Sequence, residues 1–388
     1  MTTDLFTPLT IRGVTMRNRI VISPMCQYSA QEGVANDWHF VHYGKFAQGG
    51  AGVVMVEAAA VQKAGRITHG DLGLWEDGQT APLKRIADFL RANGAVPAVQ
   101  IAHAGRKASM QRPWYGNAAL TQEDFARGDL AWDTLAPSAV PLDEGWIVPS
   151  TMAPSDIAQL VEDFVSAAAR AVAAGYDILE LHCAHGYLLH SFLSPLTNTR
   201  EDAWGGDRAG RMKLPLEVIA RVRAVWPQDR PLFVRVSAVD GVEGGITIED
   251  TIAFAREAKM CGADVIDCSS GGLMGSATAA RIPRGYGFQL PFAKAIRDGA
   301  GIMTMAVGLI VHPRQAQAVL DEEHADLVAI GREALFDPNW PLHAHLELAS
   351  TQDAAFAEWP KQYGWWLDRR EPGLRRLEGP PLPFRAEA

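Results

Sequence analysis

The sequence predicts an α/β protein built as a (β/α)8 TIM barrel, and three observations lead to that fold class. Short, nearly continuous apolar runs alternate with longer amphipathic stretches along the chain. Apolar runs of this kind are typical of parallel strands that helices cover on both faces. Eight such strand–helix units can be counted, and eight is the number at which a parallel sheet closes into a barrel.

The predicted strands are short and almost purely apolar, as residues 53–56 and 232–236 illustrate. Polar side chains occur mainly where a strand ends. In chain order, the predicted strands span residues 19–24, 52–58, 96–103, 178–185, 231–237, 264–269, 302–307 and 327–330.

Three helices between these strands carry recognisable start and stop signals. One is predicted for residues 155–174, after Pro154 and before Gly175. A second covers residues 247–260, with Thr247 as its cap. A third follows Asp207 and extends to about Trp226. Small polar residues at the start and glycine after the end are the usual helix boundaries.

A doubly wound sheet is the alternative α/β architecture. It would need a Gly-x-Gly-x-x-Gly turn after an early strand. The nearest candidate, residues 49–52, precedes a strand and is interpreted as a helix-to-strand turn.

The chain is longer than a barrel requires. A barrel takes about 250 residues, and the chain has 388. The excess lies in long insertions after the third strand (104–153) and the fourth (186–207), and in a tail from about residue 350. We therefore expect a barrel over residues 1–350 and a C-terminal extension over 351–388. Segments this long in a compact domain are usually functional lids or subunit contacts.

Composition narrows the class of partner. The formal net charge is −9 and no basic stripe occurs, which argues against nucleic acid as a partner. No apolar run reaches the roughly 18 residues of a membrane span, and the first residues lack the pattern of a signal peptide. The four cysteines form no CxxC pair, so we expect neither disulfides nor a metal ribbon, and a cytoplasmic location.

The end of the fourth strand carries the most reactive set of side chains. Alternation places Glu180 and His182 on one side of the strand and Cys183 on the other. His185 and Tyr187 follow where the strand becomes a loop. Two imidazoles and a phenol at the carboxyl end of a barrel strand are suited to polarising a carbonyl and delivering a proton. A metal site that includes the two histidines, with Glu180 as a further ligand, and ordinary buried histidines are the alternatives at this point.

The last two strands end in glycines that can hold an anion. Gly308 follows the seventh strand, and Gly331 with Arg332 follows the eighth. Backbone N–H groups there, assisted by an arginine, are a common phosphate site of barrels. Arg235 lies within the fifth strand, where a buried cation needs an anionic or electron-rich partner. An ion pair with Glu180 is one solution.

Together, these segments resemble the old yellow enzyme family of FMN-dependent ene-reductases over about residues 5–366. Within that family, Cys26 and Tyr28 are similar to the cysteine-containing, "thermophilic-like" bacterial subgroup. The matching segments are Leu5-Phe6-Thr7-Pro8-Leu9, Asn18-Arg19, Ser23-Pro24-Met25, Gln100-x-x-His103-x-Gly105-Arg106, His182-x-x-His185-x-Tyr187, Ser194-Pro195-x-x-Asn198-x-Arg200-x-Asp202-x-x-Gly205-Gly206 and Gly331-Arg332.

The resemblance implies FMN as cofactor and NADPH or NADH as hydride donor. Gln100 is expected at the pyrimidine edge of the flavin, and Arg235 near its N1 and C2 oxygen, where it would satisfy the buried cation. Gly308, Gly331 and Arg332 are expected to hold the phosphate. The residues expected along the isoalloxazine are Ser23, Pro24, Met25, Cys26 and Ala60.

The resemblance also assigns catalytic roles. His182 and His185 are expected to bind the carbonyl oxygen of an enone, and Tyr187 to donate a proton. Cys26 and Tyr28 are counted with the catalytic residues. No general base adjoins Cys26 in the sequence, which argues against a nucleophile. The alternatives are a small buried thiol and, as the resemblance implies, a modulator of the flavin potential; our hypothesis is the second.

The resemblance further implies a homodimer or homotetramer whose tail reaches a neighbouring site. It does not specify which tail residue does so: Trp365, Trp366, Arg369 or Arg370.

Three other functions are alternatives to an FMN-dependent ene-reductase. A metal-dependent barrel hydrolase would use Glu180, His182 and His185, but Arg235 would repel the metal. A flavin-storage protein would leave Tyr187 and the two histidines without a task. A 2,4-dienoyl-CoA reductase would need cluster-binding cysteines and a long second half, and this sequence has neither.

Overall fold

The computed structural model describes residues 4–274, 282–349, 356–374 and 376–377. Eight strands form its centre: β1 (Ile20–Ile22), β2 (Val53–Ala60), β3 (Val96–Ala102), β4 (Ile178–Cys183), β5 (Leu232–Ser237), β6 (Val265–Ser269), β7 (Met303–Ala306) and β8 (Leu327–Ile330). They close in the order β6-β7-β8-β1-β2-β3-β4-β5, and every pairing is parallel. All eight predicted strands and the predicted (β/α)8 barrel are therefore confirmed.

Helices surround this barrel. Within the described residues they are α1 (Asp37–Gln48), α2 (Thr80–Ala92), α3 (Gln122–Ala126), α4 (Pro154–Ala173), α5 (Leu188–Leu193), α6 (Arg208–Val225), α7 (Ile248–Met260), α8 (Leu290–Ala300), α9 (Pro313–Asp321), α10 (Arg332–Phe336), α11 (Trp340–Leu348) and α12 (Lys361–Leu374).

The capping signals mark the helix boundaries as predicted. The Asp207 side chain accepts a hydrogen bond from the backbone N–H of Gly210 and starts α6. Thr247 caps α7 in the same way, with Asp250 as its reciprocal partner. Gly175, just past α4, has a φ of +81° that favours glycine. Local sequence therefore determines these ends.

Two apolar cores stabilise the barrel. The larger one lies between the strands and the surrounding helices. The smaller one fills the barrel interior with residues such as Val21, Met55 and Phe233. A hairpin formed by Leu9–Ile11 and Val14–Met16, which the sequence did not predict, adds Ile11 and Met16 to this interior core. The polar side chains of the barrel interior lie toward the carboxyl ends of the strands.

The insertions contain structure of their own. The segment after β3 holds α3 and a parallel pair of two-residue strands, Leu135–Ala136 and Ser150–Thr151. The segment after β4 holds α5. The predicted boundary between barrel and tail, at residue 350, lies outside the described residues. No helix in the described part of the chain is long and apolar enough to cross a bilayer.

The tail forms α12, whose Trp365 and Trp366 side chains are largely exposed. The guanidinium of Arg369 lies over the Trp365 ring. The subunit contact expected of this tail stays a prediction.

Candidate active site

The structure brings His182, His185 and Tyr187 together at the carboxyl end of β4. The ring centroids of His182 and Tyr187 are 4.8 Å apart, and those of the two histidines 5.1 Å. His185 has a φ of +59°, which is uncommon for a residue with a side chain. Its backbone N–H donates to Ser237 Oγ at 2.9 Å. The chain therefore reverses sharply after β4 and returns three side chains to one point.

On each imidazole one nitrogen contacts the surrounding protein and the other faces the neighbouring ring. His182 Nδ1 accepts from the backbone N–H of Ala184 at 3.2 Å, so the proton of the neutral ring is on Nε2. His185 Nε2 lies 2.6 Å from Ser269 Oγ. The remaining nitrogens, Nε2 of His182 and Nδ1 of His185, lie 3.3 Å apart. In this arrangement the two rings are within hydrogen-bond distance of each other. If the Ser269 hydroxyl donates to His185 Nε2, both facing nitrogens carry hydrogens, and an oxygen atom that accepts from both would replace the bond between the rings.

Both histidines are neutral at physiological pH. Burial and the charge of Arg235 hold the pKa of His182 and of His185 well below the ordinary range of histidine. Both rings are therefore neutral imidazoles and not cations.

Tyr187 belongs to a second group of side chains, on the outer side of the histidines. It packs in an apolar cluster with Ile67 and Met110, against which Cys26 and Tyr28 also pack. Burial, followed by the charges of Cys26 and Asp71, raises the pKa of Tyr187 well above the ordinary tyrosine range. The phenol is therefore fully protonated at neutral pH.

The segment that carries Cys26 and Tyr28 is positioned by Glu57, a residue that the sequence reasoning missed. The β2–β3 pairing shifts register between Val56 and Ala59, and the Glu57 carboxylate within this bulge accepts from the backbone N–H of Gln27 at 2.7 Å. Burial, Glu57 and Asp71 raise the pKa of the Cys26 thiol. Cys26 is thus a protonated thiol, as expected of a residue that is not a nucleophile.

A cavity of about 330 Å³ opens beside His185, within the size range of small-molecule sites. Four residues predicted from the sequence line it: His185, Arg235, Gly308 and Arg332. Ser269 and Gln289, which had not been predicted, line it as well. One residue of the predicted carbonyl-binding pair, His185, and two residues of the predicted phosphate site, Gly308 and Arg332, therefore line the same cavity.

The turn after β7 is shaped for close approach of a ligand to the backbone. Gly308 has a φ of +120°, and a Cβ on it would lie 2.7 Å from Gln289 Nε2. Only glycine fits there. Gly331, at the end of β8, lies next to Ser23 and Met25 of the β1 end. The buried Ser23 hydroxyl has no hydrogen-bond partner among the described residues.

The remaining predicted residues occupy adjoining strand ends. Pro24 and Met25 are partly buried just after β1. Ala60 is the buried last residue of β2. Gln100, buried in β3, donates from Nε2 to Glu180 Oε1 at 2.7 Å. These four do not line the cavity beside His185.

The suggested ion pair between Arg235 and Glu180 is wrong. Arg235 Nε lies 3.1 Å from Asp267 Oδ2 on the neighbouring strand, where the register sets these two residues opposite each other. The sequence reasoning missed Asp267. The sequence feature that could have identified it is an acidic residue inside an otherwise apolar strand, next to the strand that carries a buried arginine.

The metal alternative finds no support in the geometry. Glu180 accepts a hydrogen bond from Gln100, and the facing nitrogens of the two histidines are hydrogen-bonded to each other. Among the described residues, no group of three or more His, Cys, Asp or Glu side chains could hold a metal ion.

Two buried cations follow β3: Arg106, which belongs to a matching segment of the sequence but was given no role, and Lys107, which the sequence reasoning missed. Arg106 donates to the Leu273 carbonyl at 2.6 Å and the Pro141 carbonyl at 3.0 Å. Lys107 donates to the Gly272 carbonyl, and its Nζ lies 6.0 Å from the centroid of the Tyr187 ring. Burial and Arg106 lower the pKa of Lys107 to about 7. These cations fasten the loop after β6 beside the site.

Comparisons with known proteins identify the family of this chain. A family model described as the NADH:flavin oxidoreductase / NADH oxidase family matches residues 4–350. A protein named NADPH dehydrogenase from Listeria monocytogenes is 45% identical over 361 residues, which cover 92% of this chain and 98% of that protein. Another of that name, from Bacillus pumilus, is 44% identical over 365 residues, covering 94% and 99%.

Solved structures show the same architecture. Morphinone reductase superposes with a TM-score of 0.73 at 26% identity, covering 90% of this chain and 91% of its own. An old yellow enzyme homologue from Zymomonas mobilis superposes with a TM-score of 0.73 at 23% identity, covering 93% and 98%, and shows the fold alone. Because the family model and both bacterial relatives cover nearly the whole chain, this protein belongs to the NADH:flavin oxidoreductase / NADH oxidase family.

Proposed function

We propose that this chain is an FMN-dependent NAD(P)H oxidoreductase that reduces activated C=C bonds of enones and similar acceptors in a ping-pong reaction, with Tyr187 as proton donor. One observation carries the proposal. Two neutral imidazole donors and a protonated phenol converge beside a cavity lined by Arg235, Gly308 and Arg332.

The residues around the cavity fit FMN. Gly308 lines the cavity without a side chain, and the cation of Arg332 lines the same cavity. The Ser23 hydroxyl is buried and lacks a partner among the described residues. We place the phosphate at Gly308, Gly331 and Arg332, and the ring system along Ser23, Pro24, Met25, Cys26, Ala60, Gln100 and Arg235. When bound, FMN supplies the hydride carrier of the reaction.

His182 and His185 would bind the carbonyl oxygen of the acceptor. Negative charge grows on this oxygen as hydride reaches the β-carbon. Two N–H donors aimed at one point favour that charge, because their hydrogen bonds strengthen in the transition state. Tyr187 then protonates the α-carbon. NADPH as the hydride source is supported by the names of the two bacterial relatives.

The proposal is tested on the purified protein. It should be yellow, lose its colour anaerobically with NADPH, and regain it when cyclohexenone is added. Cyclohexanone, which lacks the C=C bond, is the control and should leave the reduced protein colourless. A protein that binds no FMN would contradict the proposal, as would equal reoxidation by the two ketones.

Cys26 is proposed to tune the reduction potential of the cofactor. The thiol is protonated and packs beside Tyr28 and Tyr187. Its effect on the cofactor would therefore be that of a weak dipole next to the flavin ring. Cys26→Ala and Cys26→Ser should each shift the midpoint potential measured by spectroelectrochemistry. An unchanged potential in both variants would refute the role.

A further inference from the structure

Four polar side chains form a belt inside the barrel, above its apolar core. They come from four consecutive strands, β3 to β6, and are Gln100, Glu180, Arg235 and Asp267. Strand register places Gln100 opposite Glu180 and Arg235 opposite Asp267. All four are buried, with Glu180 and Asp267 entirely inaccessible and Arg235 7% exposed. We call this set the polar belt.

The polar belt contains two carboxylates but one guanidinium. Asp267 forms an ion pair with Arg235, with 3.1 Å between Oδ2 and Nε, although neither of its oxygens accepts a hydrogen bond from the described residues. Glu180 has instead the Gln100 amide on Oε1, and no donor reaches its Oε2 among the described residues. An ionised carboxylate without a cation is very costly in the interior of a protein. One of the two carboxylates must therefore carry a proton.

The environment decides which one. Burial and the charge of Asp267 raise the pKa of Glu180 well above the ordinary range. Burial also raises the pKa of Asp267, and Arg235 opposes the rise at both carboxylates. Asp267, however, is the carboxylate that forms an ion pair with Arg235, with 3.1 Å between Oδ2 and Nε. The polar belt thus holds a neutral Glu180 acid and an ionised Asp267 paired with Arg235.

We infer that Asp267 sets the reduction potential of the bound flavin by neutralising part of the Arg235 charge. The inference rests on the proposed position of Arg235 beside the flavin ring. A cation there favours the reduced, more negative cofactor, and a carboxylate behind the cation weakens that effect. Asp267 acts through Arg235 and is therefore a positioning residue.

The pairing also has a structural reason. Arg235 is buried whether or not the cofactor is bound, and an unpaired guanidinium inside the barrel would be destabilising. Asp267 pairs with this guanidinium and so avoids that destabilisation. The same pairing lowers the positive charge that acts on the cofactor.

The test is the midpoint potential of the holoenzyme, measured by spectroelectrochemistry. Asp267→Asn removes the negative charge and keeps the shape of the side chain. We expect the potential to become less negative, corresponding to a rise of about tenfold or more in the affinity for reduced relative to oxidised FMN. Asp267→Ser removes the same charge with a smaller side chain. It provides a second measurement of the potential if the Asp267→Asn protein does not fold.

Glu180→Gln is the matched control. It replaces a neutral acid with a neutral amide in the same polar belt, so the potential should stay within the equivalent of about twofold in relative affinity. An unchanged potential in the Asp267 variants would overturn the inference, and so would an equal shift in Glu180→Gln. A wild-type protein without flavin would refute the proposed function. A yellow wild type bleached by NADPH, with no shift in Asp267→Asn, would refute the inference alone.

Discussion

Tyr187→Phe should slow reoxidation of the reduced protein by cyclohexenone by about 10²-fold and leave reduction by NADPH nearly unchanged. General acids contribute about 10²–10⁴-fold. We expect the lower end because burial raises the pKa of Tyr187, which weakens it as an acid. The phenol stays protonated, so the wild-type reoxidation rate should show no loss of the donor between about pH 6 and pH 9. Stopped-flow measurement of both half-reactions checks this.

Tyr176→Phe is the matched control for this substitution. Tyr176 is another buried tyrosine, and its hydroxyl donates to the Leu83 carbonyl at 3.3 Å, just before β4 and at the opposite end of the barrel. Loss of this hydroxyl and its hydrogen bond should lower the free energy of unfolding by about 1 kcal/mol and should change the rate of neither half-reaction. Equal slowing of both half-reactions in Tyr187→Phe would contradict the assigned role.

His182→Ala should reduce the rate of enone reduction by about 10²–10³-fold, the usual cost of removing one donor to a developing oxyanion. The rate of the wild type should not depend on an imidazolium, because the pKa of His182 is held well below the ordinary range by burial and Arg235. The measurement is single-turnover reoxidation of the FMN-loaded variant, with bound FMN determined from its absorbance.

Two variants control for this loss. His182→Asn keeps an N–H donor near the same position and should recover part of the rate. His343→Ala removes an exposed histidine that pairs with Asp337 and should leave the rate unchanged. If His182→Ala reoxidised as fast as the wild type, the proposed carbonyl site would be wrong.

Much of the barrel could be predicted because its signals are local. The strands are apolar over their whole length, since helices cover one side and the barrel interior the other. Caps such as Asp207 and Thr247 mark helix ends through bonds to residues only three positions away. The grouping of His182, His185 and Tyr187 is local too, because all three lie within six positions of one strand end.

Contacts between distant segments could not be predicted in the same way. Arg235 pairs with Asp267 rather than Glu180 because β6 sets Asp267 opposite it. Glu57 reaches the backbone of Gln27 because a bulge turns it out of the regular pleat. Neither the register nor the bulge has a signal in a single strand.

The sequence by itself determined the number of strand–helix units, the helix boundaries and the chemical types of the side chains at the strand ends. Tertiary structure alone decided which of those side chains meet. It placed Tyr28 beside Tyr187 and Asp267 beside Arg235. The physical reason is that secondary structure follows from neighbours along the chain. The pKa of a phenol, or the partner of a buried cation, depends on the charges and the burial that the closed barrel brings around it.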